Sequence, residues 1–286
     1  MTVTIPASAL EQVEAETFAD YEAAAPAEAQ VALGTRLLRV GGGVALAMPN
    51  DPTGFWSKLI GLGFEEPITA KLLEPVFEFY REQGMSSVTL QFAPQALPPN
   101  WADICTRLNI ADAGSALVKQ AGDLETITST VGANGGVAAY LDAGLRLEEV
   151  GADRAHEWAR VMWGVFGFPF EHQSEMGIGA IGRPGWQSFA VIEDEEIVAV
   201  ACLHTAGRYG HLFGAATEAR VRGRGAQSAL IAARALAARE ADCEWLIAET
   251  AAEGPGEHNT SLHNMARAGM PVRYERKNWT WQAPAK

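Results

Sequence analysis

The residues with the clearest chemical potential form one run, Gly214-Ala-Ala-Thr-Glu-Ala-Arg220-Val-Arg222-Gly223-Arg224-Gly225-Ala226-Gln227-Ser-Ala-Leu230. Arg220, Arg222 and Arg224 supply guanidinium donors, and Gly223 and Gly225 let backbone N–H groups approach a ligand with no Cβ in the way. Ala226, Leu230, Ala233 and Ala237 then recur at helical spacing, so the loop opens a helix whose N-terminal dipole favours an anion. A phosphate is the natural occupant. A bare Gly-x-Gly also suits a surface turn flanked by solvated arginines; here it lies between a strand, His211–Thr217, and an amphipathic helix of about residues 224–239.

Other candidates are single residues. Glu249 ends the apolar run Trp245–Thr250, where a carboxylate can take up a proton, make a structural hydrogen bond or face solvent. Among six histidines, His204 and His211 fall on neighbouring strands, and His258 and His263 flank a short helix. No pair of them shows metal-ligand spacing with a carboxylate partner, so no metal is expected. Cys105, Cys202 and Cys243 are odd in number and widely spaced, which speaks against a disulfide framework or a thiolate zinc site.

The elements that must position these residues repeat. In the first part, residues 7–30 read as a surface-packed helix, Arg36–Met48 and Phe55–Gly63 as strands, residues 68–83 as a helix, Ser87–Phe92 as a strand, residues 100–108 as a helix and Ser115–Gln120 as a strand. In the second, a helix over residues 153–165 precedes strands at residues 188–192, 196–204 and 211–217, the 224–239 helix, a strand at 245–250, a helix at 261–267 and a strand at 272–281. Matching helix 68 to 224, strand 87 to 244 and helix 100 to 260 gives offsets of 156 to 160, as expected for two domains of one architecture. The Thr-, Ser- and Gly-rich stretch Gly122–Gly144 reads as their linker.

Composition sets the frame. With 48% hydrophobic and 20% charged residues in 286, the chain can bury a sizeable core, and its net charge of −13 excludes a sequence-blind nucleic-acid binder. The charge is uneven: residues 1–150 hold 19 acidic and 8 basic groups, residues 151–286 hold 16 and 14. No run of 18 apolar residues or basic leader occurs, so a cytoplasmic protein without membrane partners is expected.

Arg-x-x-Gly-x-Gly-Ala at a strand-to-helix junction, with a strand ending Glu249-Thr250 and an Asn- and Ser-bearing helix behind it, resembles motifs A and B of the GNAT superfamily of N-acetyltransferases. The resemblance covers about residues 146–282 and, more weakly, 35–121. It implies an α+β, three-layer fold of two GNAT-like domains, each a mixed, mostly antiparallel twisted sheet flanked by helices. Residues 1–130 would form a degenerate copy and residues 146–286 the acetyltransferase domain.

The resemblance also implies a co-substrate, acetyl-CoA, with the pyrophosphate at Arg220, Val221, Arg222, Gly223, Arg224, Gly225, Ala226 and Gln227. The pantetheine arm would pair near Ala216 and Thr217, and Ser261 and Asn264 would face it. Direct acetyl transfer to a primary amine of a small molecule or peptide would follow, with Glu249 as proton acceptor. The family's acid is a tyrosine where this chain has Met265, which leaves Tyr274 as the alternative acid and a non-catalytic CoA- or nucleotide-sensing module as the alternative function.

In the first copy the junction reads Gly61-Leu-Gly63-Phe-Glu65-Glu66-Pro67-Ile68, with two carboxylates where a phosphate would sit; like charges there repel the ligand. An acidic first domain would steer a cationic acceptor toward the cleft. Trp163–Phe170 either shapes the acceptor site or forms a hydrophobic elbow. A monomeric pseudo-dimer and a homodimer both fit.

Overall fold

The computed structural model of the chain, which describes residues 4–284, joins the strands of both halves into one eleven-stranded sheet. The first half comprises α1 (Ala7–Ala23), α2 (Ala27–Leu33), β1 (Arg36–Val40), β2 (Gly43–Ala47), β3 (Lys58–Ile60), α3 (Ala70–Glu82), β4 (Ser87–Gln91), α4 (Trp101–Leu108) and β5 (Ile110–Asp123). There follow α5 (Leu124–Ala133), β6 (Leu145–Glu149), α6 (Ala155–Phe166), α7 (Ser174–Ala180), β7 (Trp186–Glu193), β8 (Glu196–Ala206), β9 (Tyr209–Thr217), α8 (Ala226–Glu240), β10 (Trp245–Ala251), α9 (Thr260–Arg267) and β11 (Val272–Gln282).

Each half is an antiparallel meander ending in a parallel pair, β3 with β4 and β9 with β10, and these pairs are bridged by α3 and α8 respectively. The strand order β1-β2-β3-β4-β11-β5-β10-β9-β8-β7-β6 shows where the halves meet. Each half's last strand pairs with the other half's parallel strand: β11 lies against β4, and β5 against β10. Period-2 alternation divides the layers. Val44 and Leu46 of β2 join the core under α1 and α6, whereas Ala45 and Ala47 face the core under α3 and α4.

Local chemistry explains the main elements. Thr69 caps α3, its Oγ1 accepting the Leu72 N–H at 3.1 Å, and Leu73, Val76, Phe77 and Tyr80 form the buried stripe. The small side chains of α8 let it pack closely, and its alanines 229, 232, 235 and 238 are all buried. No helix among the described residues is long and apolar enough to cross a membrane.

Two expectations change. The first helix is not surface-packed, because Glu11, Glu14, Thr17, Phe18, Tyr21 and Glu22 of α1 are buried against both halves. The presumed linker contains α5, capped by Asp123 at the Thr126 N–H (2.9 Å), with Leu124, Ile127 and Val131 buried. Their helical spacing outweighs the local excess of Thr, Ser and Gly, since burying that stripe stabilises the helix more than composition disfavours it.

Candidate active site

The site grows from a wedge in the sheet. β9 and β10 pair only from Tyr209–His211 to Trp245–Ile247, and beyond this Ala215–Thr217 are hydrogen-bonded to β8 alone. Gly214 is an extra residue at a bulge opposite Ala201 and Cys202. Two adjoining cavities open here, one polar of about 1020 Å³ and one apolar of about 590 Å³, with Phe166, Ala215, Gln227, Ala251 and Ser261 on the walls of both.

The glycine loop walls the polar cavity. Gly223 has φ +79° with open space where a Cβ would stand, so a ligand can approach its backbone. At Gly225 (φ +84°) a Cβ would lie 1.6 Å from the Tyr140 carbonyl oxygen, so this glycine is required by close backbone packing. Val221 is fully buried and pins the loop, while Ala216, Thr217, Arg222, Ala226 and Gln227 line the cavity, where the first N–H groups of α8 lack intrahelical partners. From α9, Ser261 Oγ accepts from Gln227 Nε2 (2.7 Å) and Asn264 Nδ2 donates to Gln227 Oε1 (2.5 Å).

The three arginines do not act alike. Arg220 meets Glu218, Glu193 and Glu196 at 2.8, 2.7 and 3.0 Å, and Arg224 meets Glu193 at 2.5 Å and Asp142 at 3.7 Å. Neither lines the cavity; the carboxylates draw them toward the β7–β8 turn. Arg222 does line it, and Arg267 of α9 joins it there.

Glu249 is neither a solvent-facing strand end nor a lone carboxylate. Its oxygens meet Lys119 Nζ at 2.5 Å and His211 Nε2 at 2.6 Å, and it lines the apolar cavity. Burial and the nearby Glu14 push its pKa up, but His211 and Lys119 outweigh them and hold it below the usual carboxylate range. Lys119 also meets Glu14 at 2.6 Å, and Arg276 bonds both Glu14 (2.7 Å) and Glu11 (2.5 Å). Lys119, Arg276, Glu11 and Glu14 are each about 1% exposed, forming a charge cluster drawn from α1, β5 and β11.

Tyr274 lies off the cavity walls. Its hydroxyl donates to Glu11 Oε1 at 2.7 Å, and burial with the adjacent Glu11 raises its pKa far above the phenolic range. The insertion of β11 between β4 and β5 brings this tyrosine to Glu11 of α1, so Tyr274 is not placed as an acid. Met265, 7% exposed, lines the apolar cavity.

That cavity is chiefly aromatic. Trp163, Phe166 and Phe168 line it, and Phe168 packs on Phe55 (5.3 Å) and Trp56 (6.2 Å), so the Trp163–Phe170 segment both shapes the cavity and joins the halves. From α1 come Phe18, packed edge-on against Phe213 at 5.0 Å, and Tyr21, stacked on Trp56 at 5.7 Å. Sequence reasoning missed Glu14, Phe18, Tyr21, Lys58 and Lys119. The spacing of residues 11, 14, 18, 21 and 22 along one face of α1 is a signal that was available.

The fold brings two of the histidines to a carboxylate. Glu253, His258 and His263 bring ligating atoms within 4.8 Å of one another, with His263 Nε2 2.9 Å from Glu253 and the two imidazoles stacked at 4.5 Å. The loop after β10 folds back on α9 to create this carboxylate–imidazole contact, which spacing alone did not reveal.

No protein-family model and no curated protein matches the chain. Solved structures do match. A GCN5-related N-acetyltransferase from Kribbella flavida is similar at 15% identity and TM-score 0.59, over 93% of this chain and 96% of its own. A tandem GNAT protein from the clavulanic acid biosynthesis pathway is similar at 14% identity and TM-score 0.59, over 97% and 98%. FemX is similar at 10% identity and TM-score 0.53, over 99% and 97%. At such identities the likeness speaks to architecture, and together with the two parallel pairs and the open wedge it gives the conclusion that the chain has the GNAT fold in its tandem form.

Proposed function

We propose that the protein is an N-acyltransferase that uses acetyl-CoA and acetylates a primary amine of a small molecule or peptide. The observation that carries this reading is the Gly223–Ala226 loop, which opens a helix N-terminus onto a polar cavity continuous with the β9–β10 wedge. The free space at Gly223, the N–H groups of α8 and the Arg222 and Arg267 side chains suit a pyrophosphate. The unpaired edge at Ala216 and Thr217 suits the amide groups of a pantetheine arm.

Acetyl-CoA supplies the thioester. Attack by the amine forms the N–C bond and breaks the C–S bond, and the chain's residues must remove a proton and ease the departure of sulfur. Glu249 is held ionised by Lys119 and His211, the form that accepts a proton from the attacking nitrogen. Ser261 lies on both cavity walls and accepts from Gln227, which leaves its hydroxyl hydrogen to bond the departing sulfur; that sulfur takes its proton from solvent. The first half acts as a degenerate copy. Its junction buries Leu62 and Ile68 and carries Glu65 and Glu66, while Phe55, Trp56 and Lys58 wall the acceptor cavity.

Met265 favours a second reading, a CoA-binding sensor without turnover, since it puts an apolar thioether where the family's acid stands. Thiol release from acetyl-CoA over a panel of primary amines separates them. Amine-dependent release supports the enzyme, and tight acetyl-CoA binding without release by any amine supports the sensor.

A further inference from the structure

The apolar cavity contains a cation that the acetyl-transfer reading leaves idle. Lys58 is 4% exposed and lines this cavity, with Nζ 3.9 Å from the Phe18 ring centroid and 4.0 Å from that of Phe55. Among the described residues no carboxylate lies within 4.0 Å of this ammonium and no acceptor is hydrogen-bonded to it. Two ring faces offset only part of the cost of removing an ammonium from water.

Of the carboxylates whose charge acts on Lys58, Glu22 of α1 is buried with both oxygens unpartnered, and burial raises its pKa well above the usual carboxylate range, which favours its neutral form; the other two are engaged. Glu14 is held by Lys119 and Arg276, and Glu249 by Lys119 and His211. The other unsatisfied polar groups on these walls are donors too: the buried indole nitrogens of Trp56 and Trp163 have no partner. Arg234, the other cation on these walls, is spent on the Leu230 and Cys202 carbonyl oxygens, so a ring-lined cavity with spare donors and an unpaired ammonium calls for a ligand with an anionic acceptor on an apolar body.

We propose that Lys58 anchors a carboxylate borne on an apolar, ring-sized group, so that this cavity selects an amphipathic carboxylate. The proposal rests on the acyl-transfer reading for the ligand's fate but not for its binding. The carboxylate belongs either to the acceptor, as in an aromatic amino acid, or to an acyl group with a terminal carboxylate. The floor between Lys58 of β3 and Glu249 of β10 passes through Gln91 of β4, Asn278 of β11 and Leu117 of β5, so the anchor and the wedge open into one cavity.

The charge state fits. Burial lowers the Lys58 pKa to about 8, with Glu14 and Glu22 of α1 and Glu249 of β10 pulling it up and Arg276 of β11 pulling it down. The ammonium form therefore prevails at neutral pH, and the carboxylate preference should fade above pH 8.

Tryptophan fluorescence provides the test, since Trp56 and Trp163 line the cavity. The intact protein is titrated with N-acetylphenylalanine and with its primary amide. The carboxylate should bind at least about tenfold more tightly, and Lys58→Met should bring the two within about twofold. Equal affinities in the unmodified protein, or a preference that survives Lys58→Met, would overturn the proposal. If Lys58→Met does not fold, the unmodified protein is titrated at pH 7 and pH 9.5, where the carboxylate should lose its advantage while the amide is unchanged; an undiminished advantage at pH 9.5 overturns the proposal.

Turnover arms identify the source. Phenylalanine outrunning phenylalaninamide with acetyl-CoA assigns the carboxylate to the acceptor, whereas succinyl-CoA outrunning acetyl-CoA with phenylalaninamide assigns it to the acyl group. Indifference to Lys58→Met in both arms overturns the proposal. Because the fluorescence titration contains no CoA, its failure is distinct from a failure of acetyl-CoA to bind at the glycine loop.

Discussion

Lys119 and Glu249 face each other across the β5–β10 ladder, and their side chains meet at 2.5 Å beside His211. This contact joins the last strand of the first half to the wedge strand of the second, so the same ion pair that crosses between the halves sets the charge of the proposed proton acceptor. Lys119 reaches Glu14 of α1 on its other side, and Arg276 of β11 completes the cluster. Buried ion pairs are weak evidence for net stabilisation, but removing one member strands the rest without water.

Lys119→Met is therefore expected to destabilise the protein by about 3–5 kcal/mol, measured by urea denaturation. Adding Glu249→Gln to it should recover part of that loss, because the stranded charge is gone. Additive effects of the two changes would show that the pair is not coupled in the folded protein.

Acid sensitivity has contributions of both signs: Glu22, which burial holds well above the usual carboxylate range, gains stability as pH falls toward 4.5, whereas groups lowered by folding lose it. Glu14 is held below the carboxylate range because Arg276 and Lys119 outweigh the rise caused by burial, and Glu249 is lowered as well. Groups lowered by folding contribute stability above their unfolded pKa and lose it as pH falls through the folded value. For the carboxylates the loss begins below about pH 4.5. His204 adds an earlier phase: burial, reinforced by the charge of His211, lowers its pKa from 6.5 to about 4. Its share of about 3 kcal/mol should be complete above pH 6.5 and decline toward pH 4, and His204→Asn should abolish that phase. Denaturant midpoints of the unmodified protein and His204→Asn between pH 8 and pH 3 provide the check, and profiles of the same shape from pH 7 to pH 5 would count against it.

The two loop glycines should behave differently. Gly225→Ala must displace the Tyr140 backbone and is expected to cost more than about 2 kcal/mol, seen as a lower Tm. Gly223→Ala meets open space and should cost about 1 kcal/mol from backbone strain alone.

A similar split is expected for the arginines. Arg222→Ala should weaken acetyl-CoA binding about tenfold, with a smaller effect at high salt. Arg220→Ala, whose guanidinium is held by Glu193, Glu196 and Glu218, should change affinity less than about threefold. Calorimetric titration of both variants checks this, and equal losses would contradict the assignment.

What could be read from the chain depended on how local each feature is. The strand, glycine loop and helix over residues 211–239 are specified by neighbours in sequence, and they fold as the composition indicates. The long-range features were out of reach. Nothing within residues 272–282 signals that β11 inserts between β4 and β5, so Tyr274 looked free to act as an acid. Glu249 was recognisable as a candidate, yet its partners Lys119 and His211 come from other strands, and no local pattern predicts that a lysine on β5 will be buried. The stripe of α1 was missed although it is local: Glu11, Glu14, Phe18, Tyr21 and Glu22 recur at helical spacing, but glutamates on that stripe read as a solvated face.

Whether the Gly223–Ala226 loop binds acetyl-CoA is decided by calorimetric titration of acetyl-CoA into the unmodified protein and into Gly223→Glu. One site per chain is expected in the unmodified protein and at least about a tenfold loss in Gly223→Glu, whose carboxylate would repel the phosphates from the space now open there. No binding to the unmodified protein, or equal binding to a folded Gly223→Glu variant, would contradict it.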